Sequence, residues 1–238
     1  MHRLDLREGH DMHAWMVRAL GVVISLGVGC TTDPAPRAVY QDSATSVRIQ
    51  VDRRAGPGHS HPAQISPDVI QHVLNGVRVQ SRKALVPSIV TGEAPLVPAF
   101  SQEERIALAP HLSQALARAR PEELVTFYRR ISNASVGLAI TSGGLFVHGQ
   151  HLYVILANDR TLPSEGLHGV VVSEIDPIDS PLLPISRKSF RATFEPATSI
   201  VPEDERWAWF YIDEGRVVVL DLVQVDRDIK AGLPVLQP

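Results

Sequence analysis

Seven histidines follow residue 30, and four of them fall in pairs whose spacing suits metal ligation. His59 and His61 stand two apart in the segment Gly56-Pro57-Gly58-His59-Ser60-His61-Pro62. On extended chain their imidazoles share a side and could chelate Zn or Cu. The competing reading is a solvated loop, because Gly and Pro interrupt regular structure there. His148 and His151 flank Gly149-Gln150, a pair suited to a two-residue type II′ turn. They are therefore expected to face each other on one side of a hairpin, with Cβ atoms about 5 Å apart. A structural metal site takes about four ligands and a catalytic one about three. Only His168 and Glu165 stand near enough in sequence to add a third, while His72 and His111 fall on polar helix faces and read as surface residues.

Other reactive groups occur singly. Asn133-Ala134-Ser135-Val136-Gly137 carries half of a nucleophile-elbow pattern but leads into strand sequence instead of a helix. Ser142-Gly143-Gly144 reads as a turn, and the carboxylate pairs Glu103/Glu104 and Glu122/Glu123 lie at helix boundaries. Trp207, Trp209 and Tyr211 alternate along an expected strand, so all three rings face one way. Such a row can bind a sugar or a peptide. Because Ala208, Phe210 and Ile212 make the other face apolar too, a strand buried between two layers competes with that reading.

The whole chain has 238 residues, 44% of them apolar and 21% charged, enough for a core and inconsistent with disorder. A net charge of −3 gives no global field for nucleic acid, and none is expected as a partner. The single cysteine excludes an internal disulfide framework and any Cys-based zinc finger. Proline is raised, at 18 residues, which fits long connections.

That cysteine, Cys30, follows Arg18 and the uncharged run Ala19–Gly29, about half the length needed to cross a bilayer and right for the apolar region of a signal peptide. With small Gly27, Val28 and Gly29 just ahead of it, the segment resembles the lipobox of bacterial lipoproteins, though Gly27 stands where Leu is commonest. The resemblance implies a signal peptide over 1–29, cleavage before Cys30 and acyl lipid on its thiol. Cleavage would remove Arg3, Arg7 and Arg18 together with Asp5, Glu8 and Asp11, so the net −3 belongs to the mature chain. Thr31 at the next position implies, by the same resemblance, an outer-membrane address facing the periplasm. The polar stretch ahead of Met12 leaves Met1, Met12 and Met16 open as the start.

Residues 30–43 read as lipidated N-terminus and flexible tether, and 44–238 as a single domain. Helix signals are clear at Ser66-Pro67 and at the capping box Ser101–Glu104; the second helix should reach about Arg120 with a kink at Pro110. Strand sequences dominate from Glu123 to Val223 without intervening helices. The expected fold is α+β: a mostly antiparallel sheet with two helices on one face. With no acid, base, nucleophile and oxyanion set readable together, the expected role is a non-catalytic binding or structural module of the envelope with a protein partner. Periplasmic metal binding through the histidine pairs is the alternative, and a hydrolase without a recognisable motif comes third.

Overall fold

The computed structural model describes residues 34–81, 94–133, 137–162, 178–186, 189–207 and 214–232. In chain order its strands are β1 (Arg37–Gln41), β2 (Thr45–Val51), β3 (Val77–Ser81), β4 (Val97–Pro98), β5 (Glu123–Asn133), β6 (Gly137–His148), β7 (His151–Thr161), β8 (Phe190–Phe194) and β9 (Val217–Asp221). Its helices are α1 (Pro67–Gly76), α2 (Gln102–Leu116) and α3 (Leu222–Lys230). The fold is α+β: a six-stranded antiparallel sheet ordered β1-β2-β5-β6-β7-β9, with a three-stranded antiparallel sheet ordered β4-β3-β8 beside it.

Local chemistry sets the helix starts. Ser66 Oγ accepts from the Val69 N–H, and Pro67 opens α1 where its missing N–H costs nothing. At α2 the capping box closes both ways, Ser101 Oγ accepting from Glu104 N at 3.2 Å and Glu104 Oε2 from Ser101 N at 2.7 Å. Pro110 does not divide this helix, which is one element to Leu116; the proline sits on the exposed side, where water can serve the carbonyl it leaves without a donor. Ile70, Val73 and Leu74 of α1, with Leu108 and Leu112 of α2, bury against Val47, Ile49, Val125, Phe127 and Val154 of the large sheet. The second face of that sheet carries a smaller core of Leu124, Phe146, Tyr153, Ile155 and Val219, covered by Leu182, Val201 and the half-buried Trp207.

Several expectations need correcting. Arg37–Gln41, assigned to the tether, is an edge strand, because Val39 and Tyr40 pack on the core and Tyr40 stacks on His111 at 3.8 Å. The compact unit begins at Pro34. Ser142-Gly143-Gly144 lies inside β6 and is no turn. A Cβ on Gly143 would stand 1.9 Å from the Ile155 carbonyl oxygen, so glycine there permits the close approach of β7. The strand expected over Arg216–Val223 stops at Asp221, whose carboxylate accepts from Val223 N at 2.8 Å and starts a third helix, α3. Trp207 follows a 3-10 turn at Glu203–Glu205 and lies outside any strand.

Candidate functional site

Asp52 belongs to the polar side of β2, opposite the face that Val47 and Ile49 give to the helices, yet it is buried. The chain turns at once after β2, Ala55 N donating to the Asp52 carbonyl and Arg54 N to its Oδ1 at 2.9 Å. It then crosses the end of the large sheet as the Gly56–Pro62 segment. His59 N donates to the Pro121 carbonyl, Ser60 N to the Val147 carbonyl and Gly149 N to Ser60 Oγ. These bonds lay the loop on the β6–β7 hairpin. The hairpin itself matches expectation: His148 and His151 are register partners across Gly149-Gln150, and Gly149 has φ +60°.

The docking brings together what the sequence offered as separate pairs. His59 Nε2 is 2.9 Å from Asp52 Oδ2, with both side chains fully buried. The His59 ring stacks on Phe146 at 4.2 Å and meets the rings of His61 at 5.7 Å and Trp207 at 5.9 Å edge to face. His148 lies flat on Trp207, centroids 4.3 Å apart and planes 12° from parallel. Tyr153 fixes this tryptophan through the backbone, its hydroxyl accepting from Trp207 N at 2.7 Å. One cluster thus holds three histidines, an aspartate and three aromatic rings, buried except for the half-buried His148 and Trp207.

Burial sets its electrostatics. His61 has its pKa pushed down to about 4, first by desolvation and then by the nearby His59; the Leu116 carbonyl and Glu123 oppose the shift. His148 is lowered too, again first by desolvation and then by His59 and His151, against the pull of the Gly58 carbonyl. Both imidazoles are neutral at neutral pH. Four buried ring nitrogens of the cluster, His59 Nδ1, both of His61 and His148 Nδ1, make no hydrogen bond of regular geometry, the Leu116 carbonyl being near His61 but outside bonding geometry. Unsatisfied buried polar atoms are few in native proteins and call for an explanation.

Among the described residues no group of three or more His, Cys, Asp or Glu side chains is arranged to hold a metal ion. Trp209 and Tyr211 lie outside the described residues, as do His168, Glu165 and Cys30. His111, expected at the surface, is half-buried on Tyr40, and His72 is half-buried as well. Sequence reasoning misses Asp52, because the alternation of Val47, Ile49 and Val51 with Arg48, Gln50 and Asp52 reads as a strand with the carboxylate on its wet face. Its one signal was a carboxylate at a strand end, seven residues before a histidine in a Gly-Pro turn. No helix among the described residues is long and apolar enough to cross a membrane. No family model, curated protein or solved structure matches the chain.

Proposed function

We propose that the chain is a bacterial envelope lipoprotein, anchored through acyl lipid on Cys30 and facing the periplasm from the outer membrane. Its α+β domain serves as a non-catalytic binding module. The observation that carries the binding role is the half-buried Trp207 with the neutral His148 ring laid against it, at the end of the sheet where a loop and a hairpin meet. An indole beside an uncharged imidazole offers apolar area and hydrogen-bonding groups together, as partner-contact surfaces do. The rest of the domain supports it rigidly, because Trp207 is held by Tyr153 through main-chain atoms.

A second reading, metal handling with Zn or Cu, is favoured by the convergence of the two histidine pairs and by their unpartnered ring nitrogens. It requires the rings to turn, since the present arrangement is not a ligand set.

Crosslinking and pull-down from bacterial membranes separates the two. The expected result is an envelope partner captured by the unsubstituted protein and lost with Trp207→Ala, at unchanged melting temperature to within a few degrees. Capture that survives Trp207→Ala would remove this surface from the account. No partner, together with a rise in Tm on adding Zn or Cu that His59→Gln abolishes, would establish the metal reading instead.

A further inference from the structure

The outer side of α1 repeats polar residues at helical spacing. Asp68, Gln71, His72 and Asn75 stand at i, i+3, i+4 and i+7, so all four share one face of the helix. Burial of Val73 and Leu74 with Leu108 sets α2 beside α1, and Arg105 of α2 completes an open cleft of about 290 Å³ with these four residues. That is about the size at which small-ligand pockets begin. Among the described residues Arg105 has no carboxylate partner: its one hydrogen bond runs from Nη1 to Asn75 Oδ1, and its buried Nε has none. The neighbouring Arg78 differs, pairing with Glu195 Oε2 at 2.7 Å and donating to the Asn75 carbonyl at 2.6 Å. Burial, and after it the Arg78 charge, push the Arg105 pKa down, as expected for a cation held without its anion. Asn75 accepts from both arginines, and with Oδ1 turned to Arg105 its Nδ2 remains as a donor. His72 Nε2 is a second buried polar atom of the cleft residues without a partner. Desolvation lowers the pKa of this ring against the pull of Asp228, so it is neutral at neutral pH.

Two unpartnered buried polar atoms on residues that line one cleft call for an explanation. We propose that the cleft between α1 and α2 binds a short zwitterionic peptide, its carboxylate on the Arg105 guanidinium and Asn75 Nδ2 and its ammonium toward Asp68. A guanidinium matches a carboxylate at two points in one plane. One cation does not balance a phosphate dianion, and the exposed Asp68 would repel it. From Asp68 to Asn75 the helix rises about 10 Å. A single α-amino acid carries both its charges on one carbon and does not span that distance, whereas two hydrogen bonds with a peptide unit between them do. Gln71 and the neutral His72 stand between the two ends in sequence and offer the hydrogen bonds that a peptide amide requires. Binding here draws on neither lipid at Cys30 nor Trp207, so it stands or falls apart from both.

The test titrates the full chain, in neutral detergent, with glycylglycine while the NMR resonance of the Arg105 Nε–H is followed. The expected result is a saturable shift of that resonance. Glycylglycine amide, which lacks the carboxylate, should bind about tenfold more weakly or worse. N-acetylglycylglycine lacks the ammonium and should bind about threefold more weakly, as suits an exposed charge pair. Arg105→Gln should cost about tenfold for glycylglycine, read from the α1 amides, and Arg105→Lys should restore only part of it, because the ammonium lacks the planar fork. Asp68→Asn changes an exposed residue and should erase the difference between glycylglycine and its acetylated form. Arg191→Gln, an exposed arginine on β8, should leave all of these unchanged. No saturable shift, or equal affinity for the dipeptide and its amide, would overturn the proposal. Inorganic phosphate binding as tightly as glycylglycine would overturn it too and give the cleft to phosphate anions. Should Arg105→Gln not fold, the amide and Asp68→Asn decide the matter on their own.

Discussion

Replacing Asp52 with alanine is expected to lower the stability of the domain by about 1–3 kcal/mol for each buried donor left without its acceptor. The carboxylate serves two donors, the fully buried His59 ring and the part-buried Arg54 amide. Without it, the His59 ring loses its carboxylate partner while Phe146 still holds it in place. The loop that crosses the sheet end also loses its brace, so the loss should spread to the stacking of His148 on Trp207. Asp52→Asn keeps an acceptor of the same shape and should recover part of the deficit. Chemical denaturation at neutral pH reads both variants. A loss below about 1 kcal/mol for Asp52→Ala, typical of a surface change, would show that the pair does not brace the loop.

Acidification is the second large effect. The His61 pKa lies near 4 in the fold against an ordinary value of 6.5, so the unfolded chain binds this proton more tightly. Stability held by the neutral ring is complete above about pH 6.5. It is lost progressively as pH falls through the window toward 4, where both states are protonated. The shift corresponds to on the order of 3 kcal/mol for a ring as buried as this one. His148, lowered in the same direction, adds to the slope. His61→Gln should flatten the stability profile across this window; a profile equally steep in that variant would place the titration elsewhere.

Both effects originate in a cluster that the sequence showed only in pieces. Local signals were legible: the caps at Ser66 and Ser101, the Gly149-Gln150 turn, and the alternation in β2 all correspond to what forms. What was not legible depends on contacts between distant residues. The pairing of β3 with β8 joins residues more than a hundred apart, and no periodicity reveals it. β1 looks like a polar tether because its apolar residues are few, and only Tyr40 on His111 and the pairing with β2 make it a strand. α3 was hidden by the valines of β9, which run directly into it, with Asp221 as the only mark of the change.

The same limit governed the site. His59 and His61 read as a solvated loop because Gly and Pro surround them, yet those residues let the chain turn at Asp52 and fold both rings inward. His148 was correctly placed on the hairpin, but its partner in the structure is Trp207, 59 residues later and outside the strand that alternation suggested. Local chemistry thus fixed each residue's element, while burial and long-range hydrogen bonds decided which residues meet.

Lipid attachment at Cys30 underlies the envelope role. Its most direct test is the mass of the N-terminal peptide of the protein extracted from bacterial membranes. The account predicts a chain that begins at Cys30 with diacylglycerol on the thiol. A peptide in which Cys30 is an internal residue with a free thiol, or a mature chain that starts elsewhere, would contradict it.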